Sequence, residues 1–91
     1  MADGSENVAK AFGEKLLVAR KKADLTQEEL GYRSTVHRTE ISQLELGNHV
    51  PRLDTLIKIA GALEIEPAEL ISDVRWTPPP EGPGTGGFRA L

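Results

Sequence analysis

The chain has 91 residues, a formal net charge of −3 and no cysteine. This length suffices for one small domain, and the lack of cysteine excludes a disulfide framework or a thiolate zinc site. With 38% hydrophobic and 4% aromatic residues, the core is expected to be aliphatic and helical, the economical solution for so small a domain. No apolar run approaches the ~20 residues that span a bilayer, and the polar N-terminus is unlike a signal peptide, so we expect a cytoplasmic protein.

The first predicted element is a helix from Val8 to Ala23, preceded by residues 1–7, which we expect to be disordered. Apolar side chains recur along it every three or four residues, which is the pattern of one buried helical face. This stripe consists of Val8, Phe12, Leu16, Ala19 and Ala23. The helix should therefore cover one side of the core.

Two short helices joined by a tight turn are predicted within residues 26–45, TQEELGYRSTVHRTEISQLE. Thr26 and Glu29 have the spacing of a capping box. The spacing recurs eleven residues later, where His37 takes the cap position and Glu40 is expected to complete the cap. Two helix starts this close together indicate helix-turn-helix geometry. The alternative is a plain helical hairpin whose polar face is only solvated.

Two further helices follow after Gly47, a residue type that commonly ends helices. The fourth helix is predicted from the apolar spacing of Leu53, Leu56, Ile57, Ala60 and Leu63. Pro67 suits the first position of a short fifth helix that extends to about Ser72. The fold class is therefore predicted to be all-α, a compact five-helix bundle over residues 8–74.

The remaining residues, 75–91, contain PPPEGPGTGG and are rich in proline and glycine. Consecutive prolines favour extended polyproline conformation, and glycine-rich sequence favours flexible coil. We therefore expect a flexible C-terminal tail. Trp76 is an exception, because a single Trp at a domain edge usually covers apolar surface.

Several linked motifs between residues 10 and 72 resemble the Cro/C1-type (XRE) family of helix-turn-helix DNA-binding domains. They are TQEEL with the small Gly31 after it, I-S-x-L-E-x-G, Pro51, TLxKIAxAL and P-x-E-L. The resemblance implies a lambda repressor-like fold, sequence-specific binding to double-stranded DNA and a role in transcription regulation. It implies neither an enzyme nor a cofactor. Thr35 departs from the family, which usually has Gly in the turn, and Leu46 replaces a residue that is often polar.

The resemblance also assigns roles to individual residues of the third helix, at about 37–46, whose N-terminal part would enter the major groove. Arg38 can donate twice to guanine, Gln43 can pair with adenine, and Thr39 offers a hydroxyl and a methyl group. His37 is expected to touch a base edge or a phosphate. The predicted phosphate contacts are Gln27, Asn48 and Arg52. A structural salt bridge is expected between Arg20 and Glu45.

One recognition helix buries little surface, so we expect a homodimer on a palindromic operator with half-sites about 34–36 Å apart. The predicted dimer contacts, expected to be exposed on the monomer, are Leu63, Ile65, Leu70, Ile71, Val74 and Trp76. One alternative is an antitoxin or similar regulator whose tail binds another protein. Restriction–modification controller proteins are a variant of the main interpretation that fits the compact domain but not the tail. A protein-interaction module without DNA binding is a third alternative. Two histidines without cysteine predict no metal site.

Overall fold

The computed structural model describes residues 3–80, 84 and 86–90, and it contains the five helices expected. The helices are α1 (Ser5–Lys22), α2 (Gln27–Ser34), α3 (Arg38–Glu45), α4 (Leu53–Leu63) and α5 (Pro67–Leu70), and two strands follow, β1 (Val74–Thr77) and β2 (Gly87–Ala90). Helix α1 packs against α3, α2 contacts both α3 and α4, and α5 closes the bundle against α1 and α4. The predicted helix-turn-helix bundle is confirmed, with a two-stranded sheet added to it.

The core is aliphatic apart from one phenylalanine, and every helix contributes to it. The largest side chains that are less than 2% exposed are Phe12, Leu16, Leu30, Ile41, Leu44, Ile59 and Leu70. Burial of a Leu, Ile or Phe side chain typically contributes about 1.5–3 kcal/mol, so each of these residues is a substantial source of stability for so small a domain.

Local sequence rules explain where α2 and α3 begin and end. The Thr26 hydroxyl accepts from the Glu29 amide, and the Glu29 carboxylate accepts from the Thr26 amide, which completes the predicted capping box. These bonds from Thr26 lower the pKa of Glu29. At the other end, Gly47 has φ +74, and the amides of Gly47 and Asn48 donate to the carbonyls of Leu44 and Gln43, which is a Schellman ending.

Close contact between helices requires glycine at two positions. A Cβ added at Gly31 would lie 2.7 Å from the carbonyl oxygen of Val36, at the corner between α2 and α3. A Cβ added at Gly13 would lie 2.4 Å from the carbonyl oxygen of Leu44, where α1 crosses α3. Both glycines therefore let backbones approach and fix the position of α3 in the bundle.

Three helices differ from their predicted extent or orientation, and the simplest case is α5, which ends at Leu70 and not at about Ser72. Helix α1 begins at Ser5, not Val8, because the Asp3 carboxylate accepts a hydrogen bond from the Ser5 amide; Met1 and Ala2 lie outside the described residues. In α4, the apolar spacing predicts that Leu53 and Ile57 lie on the buried face, yet they are 73% and 53% exposed. The buried face of α4 is instead centred toward Ile59, because α2 and α5 pack on that side.

The prediction of an unstructured, flexible tail is wrong for the two ends of residues 75–91. Strands β1 and β2 pair antiparallel, with Trp76 opposite Phe88, and the two rings meet edge to face with centroids 4.9 Å apart. The Phe88 amide donates to the Asp3 carbonyl at 2.8 Å, and Asn7 donates to the Phe88 carbonyl at 3.3 Å. The sheet is therefore attached to the start of α1. Residues 81–83, 85 and 91 lie outside the described residues.

In the part of the chain that the structure describes, none of the helices combines the length and the apolar character needed to cross a membrane.

Candidate nucleic-acid interface

His37 immediately precedes α3, and its side chain occupies the cap position. Its Nδ1 accepts a hydrogen bond from the Thr39 amide at 3.0 Å. Glu40 was expected to complete this cap, but its carboxylate lies 3.2 Å from Nε2 of His49 in the loop after α3. The side-chain cap of α3 is therefore formed by the His37 imidazole without a contribution from Glu40.

One face of α3 points away from the bundle and carries the predicted base-reading residues. Ile41 and Leu44 are fully buried on the opposite face. Residues three and four apart are neighbours on a helix, so the outward face is formed by Arg38, Thr39, Ser42, Gln43 and Leu46. Of these, Arg38, Thr39 and Leu46 are exposed, while Ser42 and Gln43 are half-buried. Sequence analysis missed Ser42, which the four-residue spacing from Arg38 could have identified.

The two longest side chains of this face are held by neighbouring residues. Arg38 Nη1 lies 3.2 Å from Oε2 of Glu28 on α2, and both side chains are largely exposed. The side-chain oxygen of Gln43, Oε1, accepts a hydrogen bond from the side-chain amide Nδ2 of Asn48 at 2.7 Å. Asn48, a predicted phosphate contact, is thus bonded to a predicted base reader.

A buried polar network joins the start of α2 to the end of α3. Arg20 donates to Glu45 at 2.6 and 3.0 Å and to the Leu25 carbonyl at 2.8 Å, so the salt bridge expected from the resemblance is formed. Hydrogen bonding to Glu45 raises the pKa of Arg20. The side-chain amide of Gln27 donates to a carboxylate oxygen of Glu45 at 3.0 Å. One N–H of the Gln27 side chain and the backbone amides of Gln27 and Glu28 remain for another partner, as a phosphate contact requires.

The charge of this region is close to balanced. Arg52, the third predicted phosphate contact, immediately precedes α4 without a side-chain cap hydrogen bond, and its Nε lies 3.3 Å from a carboxylate oxygen of Asp54. Arg38 is paired with Glu28 in the same way. The arginines nearest α3 are thus neutralised in the free protein, and attraction to phosphates is expected to be modest.

The predicted dimer contacts divide into two groups. Leu63 and Leu70 are 7% and 1% exposed and belong to the core, so the prediction that they are exposed is wrong. They are buried because α4 and α5 pack against each other through these side chains. Ile71 and Trp76 are 43% and 49% exposed, and Ile65 and Val74 are half-buried.

Among residues 3–80, 84 and 86–90, no cluster of histidine and carboxylate side chains could hold a metal ion.

The fold and the outward-facing α3 define a helix-turn-helix protein. The family model described as helix-turn-helix matches residues 16–70, and the chain belongs to this Cro/C1-type (XRE) family of transcriptional regulators, which are not enzymes. The strands β1 and β2 lie outside the matched residues.

Particular relatives agree with this assignment. The control protein C.BamHI of Bacillus amyloliquefaciens is 35% identical over 68 residues, which are 74% of this chain and 84% of the relative. The restriction–modification controller protein C.AhdI from Aeromonas hydrophila is 35% identical, with a TM-score of 0.67 over 68% of this chain and 94% of the other. The P22 c2 repressor in complex with a synthetic operator is 32% identical, with a TM-score of 0.62 over 66% of this chain and 91% of that one.

Proposed function

We propose that this protein binds double-stranded DNA sequence-specifically as a dimer and regulates transcription from a palindromic operator. The observation that carries the proposal is the outward face of α3, where Arg38 and Thr39 lie in the first turn and Gln43 lies one turn further along the same face. Arginine and glutamine are the side chains that pair most directly with guanine and adenine edges in the major groove. The P22 c2 repressor, which is similar over most of its length, was solved bound to an operator.

The ion pair between Glu28 and Arg38 is compatible with base reading. Because Glu28 occupies only Nη1, the other N–H groups of the guanidinium are available for a guanine. Gln27 at the start of α2, with Asn48 and Arg52 after α3, would contact phosphates on either side of the groove. These contacts would fix the position of α3 on the duplex, while the outward face would supply specificity.

An exposed apolar stripe on α4 supports dimer formation. Leu53 and Ile57 lie one turn apart and are both more than half exposed. The next residue along the stripe is Gly61, and a Cβ added there would meet open space beyond the backbone of its own helix, although a glycine inside a helix costs about 1 kcal/mol relative to alanine. A second copy packed against α4 would bury both side chains and explain the glycine. Ile65, Ile71, Val74 and Trp76 remain candidates for the same contact.

A selection from random duplexes with the purified protein tests the proposal. We expect enrichment of an inverted repeat whose half-sites are centred about 10 base pairs apart. In gel shifts on that repeat, Arg38→Ala should lose about 1–3 kcal/mol of specific binding free energy and tolerate any base at one position of each half-site. This loss follows from removing a bidentate contact to one base.

The matched control is Arg33→Ala, because Arg33 is an exposed arginine at the end of α2. This substitution removes the same charge at a position away from the outward face. It should reduce affinity equally for all sequences, if at all. Failure to enrich any motif would refute sequence-specific binding. An unchanged motif with Arg38→Ala would refute the role of Arg38, and a single half-site would refute the dimer.

A further inference from the structure

We propose that His37 makes operator recognition sensitive to pH, because its imidazole can cap α3 only while it is neutral. The proposal rests on the DNA-binding function proposed above. In the structure Nδ1 of His37 accepts from the Thr39 amide at 3.0 Å, and the residue lies just outside the helix with φ −59 and ψ 140. A neutral imidazole that accepts at Nδ1 carries its hydrogen at Nε2. Protonation adds a hydrogen to Nδ1, so both ring nitrogens become donors and the acceptor for the Thr39 amide is lost.

The first turn of α3 would then lose its cap and gain a repulsive charge. The opening amides of a helix have no partner within the helix, and a side-chain cap at this position is an established source of helix stability. A positive charge is also unfavourable at the positive end of the helix dipole. The residues affected are Arg38 and Thr39, two of the proposed base readers. Protonation of His37 would therefore loosen the part of α3 that has to be ordered for base reading.

The neighbouring charged groups do not offer a replacement for this cap. From α2, Glu28 and Tyr32 line the same cavity as His37, and from α3 Arg38 lines it too. Glu28 is paired with Arg38 at 3.2 Å. Glu40, in the first turn of α3, lies 3.2 Å from the second histidine, His49. Each nearby carboxylate thus already has a partner when His37 becomes charged.

On DNA the extra charge has a second effect. An imidazolium attracts phosphates of any sequence, so protonation strengthens non-specific binding while it weakens base reading. The ratio of the non-specific Kd to the specific Kd, which measures specificity, is consequently the quantity that should respond most to protonation of His37. Histidine changes charge between roughly pH 5 and 8, and we expect this ratio to fall about fivefold from about pH 7.5 to about pH 5.5, the factor that corresponds to losing one helix cap.

The test measures Kd for the selected operator and for a scrambled duplex at both pH values, with three proteins. The wild-type ratio should fall as pH falls. His37→Asn should show a constant ratio, since asparagine is a good cap that does not titrate. His49→Gln, which removes the other of the two histidines, should behave like the wild type. A constant wild-type ratio, or a His37→Asn ratio that falls as in the wild type, would overturn the proposal.

A measurement on the DNA-free protein separates this idea from the proposed function. Nitrogen-15 NMR of the His37 ring should show an unprotonated Nδ1 at neutral pH, and the protection of the Thr39 amide from hydrogen exchange should decrease as the ring protonates. A ring protonated at Nδ1 at neutral pH, or constant protection of Thr39, would refute the titrating cap. If the wild type prefers no duplex at neutral pH, the proposed function fails, while these two signals still decide whether the cap titrates.

Discussion

Arg20 joins three parts of the molecule through one guanidinium group. It donates to Glu45 on α3 and to the carbonyl of Leu25 before α2, and the side chains of Arg20 and Glu45 are only 11% and 5% exposed. Loss of Arg20 would leave a buried carboxylate without its cation. We expect Arg20→Ala to lower the free energy of unfolding by about 3–5 kcal/mol, measured by urea denaturation.

The matched control for this prediction is an exposed ion pair. Lys15 and Asp73 lie 3.5 Å apart with side chains 37% and 51% exposed, and Lys15→Ala should cost about 0–1 kcal/mol. Combining Arg20→Leu with Glu45→Leu should restore part of the loss, because no unpaired charge remains. The prediction is wrong if Arg20→Ala costs no more than Lys15→Ala.

Sequence analysis anticipated single residues better than their partners. The Arg20–Glu45 pair was expected from the family resemblance, yet the bond from Gln27 to the same carboxylate was not. The bond from Asn48 to Gln43 was not expected either. Such contacts depend on how α2, α3 and the following loop are oriented in space, which no local spacing rule specifies.

At the scale of elements, the turn between α2 and α3 contains a strained residue. Thr35 ends α2 with φ +57 and ψ 25, a left-handed conformation that costs non-glycine residues about 1–2 kcal/mol. Its side chain is exposed. We therefore expect Thr35→Gly to raise the free energy of unfolding by about 0.5–1 kcal/mol, since relief of strain exceeds the added chain entropy. Thermal melts would show a higher Tm.

Thr55→Gly is the control for this substitution, because Thr55 lies within α4 and has ordinary helical conformation. The same chemical change should there lower the free energy of unfolding by at least about 0.3 kcal/mol, because glycine has a lower helix propensity than threonine and the half-buried side chain of Thr55 is lost. If both variants are destabilised alike, strain at Thr35 is not the relevant property of the turn.

The start of α2 and the end of α3 were predictable because their causes lie within a few residues. The capping box at Thr26 and the ending at Gly47 follow from spacing and residue type alone. The rotation of α4 was not predictable, since Leu53 and Ile57 fit a buried stripe as well as Ile59 does. The contacts of α4 with α2 and α5 decide which of these side chains is buried.

For the whole molecule, the sheet shows why composition misled the prediction for the last residues. Proline and glycine make the segment PPPEGPGTGG unsuited to a helix. However, the flanking strands pair with each other, and Phe88 of β2 is also hydrogen-bonded to Asp3 and Asn7 near the opposite end of the chain. A two-stranded hairpin alone is marginally stable in water, so the sheet depends on this contact between residues that are far apart in sequence.

Phe88 is the residue on which this attachment should depend most. Its ring packs against Trp76, and its backbone bonds to the start of α1. Because an aromatic pair and a partly buried ring are lost, Phe88→Ala should lower the free energy of unfolding by about 1–2 kcal/mol and shift the emission of the single Trp to longer wavelength as the hairpin opens. Operator affinity should hardly change, because α1 contacts α3 through Gly13 on another face. Arg89→Ala, an exposed neighbour, should alter neither signal; an unshifted emission in Phe88→Ala would show that the sheet persists without that ring.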